Sequence, residues 1–479
     1  MSTEFRILEL QLFERGVTMR LPFRFGVVTL SACPQAFVRA RIRTADGREA
    51  EGASAELMVP KWFDKNLALS NEENFAQLRQ SLWLARDAYL NDGATRSAFG
   101  HHATHYQSQI DTAAPAGLNP LTACYGPALL DRAVLDALCR AQGVSFYDAV
   151  RHNAVGIDAR LCPDLSGFDL DAFLRGLSPS DRIHVRHTVG LLDPIVRSDV
   201  TDALDDGLPE TLEDVVTTYG CRYFKLKVCG KPDEDINRLI RIAAVLDRLP
   251  EYVVTLDGNE QFGDADAAAR FWERALQIPA LRRLTQATLY IEQPLPRSIA
   301  LEADISRLAA ARPVLIDESD ATLAAFPTAI GLGYTGVSSK DCKGIYRSLL
   351  NAARCAQRNA GTPAAAAYFM SAEDLTTQAG LAVQQDLALV NLLGLTHVER
   401  NGHHYVDGFS GQGAGEKEQQ AFLNAHENLY RREYRHESSN VRLHIENGAL
   451  DLRSLASPGF AAGAHPAWET LQAMQARPT

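Results

Sequence analysis

The chain has little sulfur, and none of it is clustered. Eight cysteines and five methionines are spread over 479 residues. No two cysteines form a C-x-x-C pair or a zinc-type spacing, so scattered reduced thiols are expected. No apolar run is long enough to span a bilayer. The start, MSTEFRILEL, lacks the basic and apolar stretches of a signal peptide, so a cytoplasmic protein with no membrane partner is expected. Lys/Arg blocks are also missing: 48 basic residues face 59 acidic ones, a net charge of −11. That balance disfavours nucleic acid and anionic membrane surfaces. No G-x-G-x-x-G follows a strand, which weakens a dinucleotide-binding sheet.

What is present is an ordinary globular balance, 46% hydrophobic and 22% charged. Phe5–Phe13 and Ala36–Thr44 read as strands, and Asp46-Gly47 turns into a return strand over Arg48–Ala55. Ser70 and Glu73 form a capping box before a helix that Gly93 stops. His101–Ala114 reads as an exposed loop, its histidines lacking a regular ligand spacing. Gly126–Gln142 is helical.

From about residue 180 short apolar runs alternate with helical stretches. The runs are 183–189, 223–228, 252–256, 288–291, 314–316, 336–339, 364–370 and 395–398. Eight such repeats suggest a parallel (β/α)8 barrel, with an open doubly wound sheet as runner-up. Val441–Ile445, Asn447-Gly448 and Leu450–Leu452 read as a hairpin added after the barrel closes.

Catalytic groups of a barrel sit at the C-terminal ends of its strands. Strand two ends in YFKLKVCG, where Lys225 and Lys227 share a face. Strands three to six end in LDGNEQF, IEQPLP, IDES and SSKDCKG. Asp257, Glu292 and Asp317 therefore supply carboxylates from three successive strands, 35 and 25 residues apart. Such all-oxygen donors suit Mg²⁺. A divalent cation would stabilise the charge that appears when a proton next to a carboxylate is removed. Lysines end the strands on either side, Lys225 and Lys227 before the carboxylates and Lys340 and Lys343 after them, and a lysine there can act as a base. Taken singly, K-x-K is more often a solvated edge, and Lys343 reads as a structural lysine.

The ordered motifs K-x-K, D-x-N, E-Q-P, D-E-S and K-x-x-K-G resemble the enolase superfamily. More narrowly, they resemble its muconate-lactonizing-enzyme-like branch, grouped with mandelate racemase. Leu130–Tyr147 resembles the helix that ends that family's N-terminal cap. The resemblance implies a modified barrel over about 156–435, an α+β cap over 1–155 and a segment from 436 to 479 returning to the cap. It implies Mg²⁺ on Asp257, Glu292 and Asp317, with Glu318 as the alternative third ligand one residue on. Lys227 and Lys340 would be the acid/base pair, Lys225 would position substrate or tune Lys227, and Asn259 would support the ligands.

Cap loops would cover the mouth, bringing Arg24 to a distal anionic group and Trp62 or Phe23 to an apolar one. Strand seven carries no His, which favours the two-lysine branch. The strand-eight segment HVERNG replaces D-x-D, disfavours a dipeptide substrate and offers Glu399. Glu373 and Asp374 either face the pocket or cap the next helix, and His403-His404 lie in a loop after strand eight. The expectation is a Mg²⁺-dependent racemase or epimerase of a small-molecule carboxylate, working through an enediolate and forming a homo-oligomer. Dehydration or cycloisomerisation from the same enediolate is the alternative; a catalytically silent binding protein is the alternative of another class.

Overall fold

The computed structural model describes residues 3–360, 368–435 and 438–475. Strands β1 (Phe5–Phe25), β2 (Val28–Thr44) and β3 (Glu49–Leu57) form an antiparallel meander. Phe5, Ile7, Leu10 and Leu12 turn inward from β1, and charged residues fill much of its other face. The first hairpin is longer than the sequence suggests, because 14–35 pairs up to a tip at Gly26-Val27, with one register shift between Thr18 and Phe23.

Helix α1 (Asn71–Asp92) starts at the expected Ser70–Glu73 capping box and ends at left-handed Gly93. Helix α3 (Pro120–Gln142) starts earlier than expected, on an Asn119 cap with proline in its first turn. It packs so closely on β3 that a Cβ on Gly52 would fall 2.2 Å from the Ala137 nitrogen.

Between these helices, His101–Ala114 is not an exposed loop. Residues Ala98–Ala113 form helix α2, with His101 and His102 buried. The imidazoles find tertiary partners that local sequence does not reveal. His101 Nε2 lies 3.0 Å from the Phe5 carbonyl, and His102 Nδ1 lies 2.7 Å from Asp131.

The eight barrel strands are β4 (Arg182–Val189), β5 (Tyr223–Lys227), β6 (Val253–Asp257), β7 (Thr288–Glu292), β8 (Val314–Ile316), β9 (Gly336–Ser339), β10 (Phe369–Ala372) and β11 (His397–Arg400). All pair in parallel, and β11 pairs back onto β4, so the sheet is closed and the open-sheet alternative fails. Part of the expected seventh strand, 364–367, lies outside the described residues. The following helix begins at Leu381, after a loop over 375–380 held by Asp374.

The C-terminal hairpin also differs. β12 (Tyr430–Arg435) pairs with β13 (Ser438–Leu443). Past left-handed Asn447 and Gly448, β14 (Ala449–Asp451) joins β4 antiparallel instead of folding back on β13. β15 (Gln472–Ala473) returns to β1. Among the described residues no helix is long and apolar enough to cross a membrane.

Behind β4 sits a buried trio, His187, His403 and His404, with ring centroids 4.9–6.3 Å apart. Arg442 and Arg20 donate to the carbonyls of His403 and His404, and the Tyr219 and Tyr405 rings flank them. Burial holds all three imidazoles well below their usual range, His187 down to about 3; their mutual repulsion and the nearby arginines lower His403 and His404 further. The unfolded chain therefore takes up more protons below about pH 6.5, and folding stability falls as the pH drops. Urea midpoints should be lower at pH 5 than at pH 7.5, and His404→Phe should reduce that drop. A pH 5 drop that is equally large in the variant would assign it to other groups.

Candidate active site

Strand pairing sets the site. Lys227, Asp257 and Glu292 are direct neighbours across β5, β6 and β7. Asp317 and Lys340 follow immediately after β8 and β9. Inward-facing residues form two layers. The lower one joins Arg186, Tyr290, Ser371 and His397: Arg186 donates to the Tyr290 hydroxyl at 2.6 Å and lies 2.8 Å from His397 Nδ1. The upper layer is a row of buried charges.

Lys225 stands at its centre. Its Nζ lies 2.9 Å from Asp257, 2.8 Å from Glu292, 2.7 Å from Glu373 and 3.0 Å from Glu399. Burial opposes its charge, yet the four carboxylates hold its ammonium well above the usual lysine range. Lys227 Nζ contacts Asp257 Oδ2 at 2.5 Å. Across the row, Lys340 Nζ contacts Asp317 Oδ2 at 2.6 Å. Asp257 and Asp317 are depressed despite burial, by Lys225 with Lys227 and by Lys340 with Lys343, respectively. Glu292 moves the other way, pushed up by burial and by Asp257, Glu373 and Asp317.

Local sequence explains the poses. Gln293, left-handed at φ 34°, accepts from the Asp317 and Ser319 nitrogens at 2.8 and 3.1 Å, tying the end of β7 to that of β8. Lys343 donates to the Ser338 hydroxyl at 2.7 Å and its carbonyl at 3.0 Å, in keeping with a structural lysine. Asp374 accepts from the Thr377 and Asn401 nitrogens, whereas Glu373 faces the barrel.

The cap closes the mouth from two directions. The Trp62 ring lies 4.4 Å from Lys340 Nζ. Its loop is held by Arg297, which donates to the Trp62 and Phe63 carbonyls, and by Lys65, 2.7 Å from Glu260. Phe23 stacks on Tyr405 with centroids 4.2 Å apart. Arg24 is exposed, and the structure does not bring it to the carboxylate row. A strand alternates its faces, and the adjacent residues Phe23 and Phe25 take the buried one.

The oxygens of the row show what a cation would meet. Glu318 Oε2 and Asn259 Oδ1 are buried without a donor, and Glu292 Oε2 makes no aligned hydrogen bond. Glu318 is pushed up to about 7 by burial and by Asp317, Glu260 and Asp257. Surplus acceptors and crowded negative charge fit a hard cation on Asp257, Glu292 and Asp317, with Glu318 and Asn259 beside it. Among the described residues no three acidic, His or Cys groups already converge as a ligand set. Lysine ammoniums hold the acids instead: Lys225 lies between Asp257 and Glu292, and Lys340 on Asp317.

Arg186 joins the site beyond the residues singled out from sequence, its signal only one arginine inside the apolar run IHVRHTV, whereas Glu373 takes the pocket-facing one of its two expected placements.

Residues 207–412 match the family model described as enolase C-terminal domain-like. No curated protein matches the chain. A muconate lactonizing enzyme from Mycobacterium smegmatis, complexed with muconolactone, is 18% identical with a TM-score of 0.59, over 95% of this chain and 96% of that one. A racemase from Streptomyces coelicolor A3(2) with bound magnesium is 15% identical with a TM-score of 0.58, over 97% and 98%. An enolase from Bradyrhizobium, complexed with magnesium and mandelic acid, is 17% identical with a TM-score of 0.58, over 96% of each chain. At these identities the likeness is one of fold.

Proposed function

We propose, from the premise that this is an enolase-superfamily chain whose residues 207–412 match the enolase C-terminal domain-like family, that it removes the proton α to the carboxylate of a small molecule, with Lys227 and Lys340 as acid and base. The observation that carries this reading is the placement of the two ammoniums. They end strands on opposite sides of one carboxylate row, Lys227 on Asp257 and Lys340 on Asp317. A carbon seated above Glu292 would meet a lysine on each face. Removal of the proton on one face and return on the other inverts the centre, so racemisation or epimerisation is favoured. Dehydration or cycloisomerisation from the same enediolate uses the same first step.

The cation, held by Asp257, Glu292 and Asp317, would offset the charge that builds on the substrate carboxylate. Lys225 fixes the row by spanning Asp257, Glu292, Glu373 and Glu399. Trp62 over Lys340 keeps bulk water from the proton-transfer region. Each base must be neutral when it accepts a proton, and although burial opposes the charge, Asp317 favours the ammonium of Lys340. Lys227 and Lys340 can accept a proton only once their contacts with Asp257 and Asp317 loosen.

The neighbours named as a muconate lactonizing enzyme and a racemase support this reaction class. The proposal includes a cap over 1–155, a barrel over 156–435 and a returning segment from 436. The test is deuterium uptake at the α-carbon when the protein is incubated in D₂O and Mg²⁺ with a panel of enantiopure 2-substituted carboxylates. Uptake by at least one acid, lost on chelation and restored by Mg²⁺, is expected. Uptake unchanged after complete chelation would sink the cation-assisted reading.

A further inference from the structure

Helix α3 of the cap meets the barrel at Cys124, which accepts from Arg347, and at a buried guanidinium of its own, Arg132. Arg132 is fully buried. Its Nη1 donates to Asp341 Oδ2 at 3.0 Å, its Nη2 to Glu56 Oε2 at 3.1 Å, and its Nε to the Ala128 carbonyl at 3.2 Å. Glu56 belongs to cap strand β3, whereas Asp341 is the residue after Lys340. One side chain therefore ties the cap sheet to the turn that presents a proposed acid/base lysine.

That turn, 341–343, is held at both ends. At its far end, Lys343 is anchored in the barrel on Ser338, the Asp317 carbonyl and Asp320. At its near end, the ion pair formed by the Asp341 side chain is to Arg132. Asp341 Oδ1 has no hydrogen-bond donor, so the guanidinium arm is the contact that aims this carboxylate. Lys227 sits within strand β5 itself, and among the described residues its ion pair is with Asp257 of the barrel.

We propose that Arg132 is a positioning residue for Lys340, acting through Asp341, so that docking of the cap sets the pose of one acid/base lysine and leaves the other alone. The proposal rests on the assignment of Lys340 as an acid/base group, but its geometry is testable without a substrate. Loss of the guanidinium releases Asp341, the turn shifts, and Lys340 Nζ leaves Asp317 and the face of Trp62. Lys227 stays on Asp257.

The test is competitive acetylation with trace acetic anhydride at fixed pH, read by peptide mass spectrometry as the ratio of Lys340 to Lys227 labelling. In Arg132→Met that ratio should rise by about tenfold or more, and Arg132→Lys should give a smaller rise. Asp341→Asn keeps the guanidinium and changes its partner by a single atom, and it should move the ratio in the same direction if Arg132→Met does not fold. An unchanged ratio, or an equal rise at both lysines from general loosening, would overturn the proposal. Failure of the wild type to exchange any α-proton would instead count against the proposed reaction, and the labelling ratio would still report on Arg132.

Discussion

Lys340→Met is expected to cost roughly 10²–10⁴-fold in α-proton exchange from one enantiomer of a chiral substrate, with a much smaller loss from the other. Lys227→Met should show the mirror pattern. The reason is geometric. Each lysine ends its own strand, β5 for Lys227 and the turn after β9 for Lys340, on either side of Glu292. A base on one face reaches only the proton on that face. Both substitutions keep an unbranched side chain out to its ε atom and remove the amine, so packing changes little. Opposed selectivity, measured by deuterium uptake from each enantiomer, is the signature of a two-base site. Equal loss from both hands in either variant would point to a single base.

The second large effect is on stability. Lys225→Met removes the one ammonium that touches Asp257, Glu292, Glu373 and Glu399 together, at 2.7–3.0 Å. All five side chains are almost completely buried. Breaking a buried charge pair by removing one partner costs about 3–5 kcal/mol, since the other charge stays desolvated and unpaired. Arg186 and Lys227 still neutralise part of the cluster, Arg186 through Glu373 and Lys227 through Asp257. A loss at the upper end of that range therefore needs Glu292 and Glu399 to go uncompensated. Urea unfolding of the metal-free variant should show the loss directly, and Mg²⁺ should recover part of it if a cation binds the same carboxylates. Stability within about 0.5 kcal/mol of wild type, the range usual for surface substitutions, would mean that Lys225 does not hold the row together.

The barrel was legible because its strands are short apolar runs that end in charged residues. K-x-K is the clearest instance: two charges two residues apart on a strand share a face, and both lysines turn inward. What the linear pattern does not carry is register. That Lys227, Asp257 and Glu292 lie side by side depends on hydrogen-bonded pairing across three strands. The sequence also gives no sign that Lys225 spans four acids, because Glu373 and Glu399 come from strand ends about 150 and 175 residues further on. The two clear misreadings share one cause. His101 and His102 look like loop residues until Phe5 and Asp131 supply partners, and the Asn447-Gly448 turn looks like a hairpin until the start of β4, 182–184, which precedes its pairing with β5, takes up β14. In both places tertiary pairing overrides a local signal. Arg24 illustrates the limit of reasoning from a loop: alternation on β1 puts Phe23 inside and Arg24 outside.

The most direct measurement of the central claim compares the wild type with Lys227→Ala/Lys340→Ala in D₂O and Mg²⁺, on a carboxylate that the wild type exchanges. Deuterium should enter the α-carbon with the wild type and stay at background with the double variant, while circular dichroism and the urea midpoint report that the variant is folded. Exchange that persists in the folded double variant would contradict the assignment of these two lysines as the groups that move the proton.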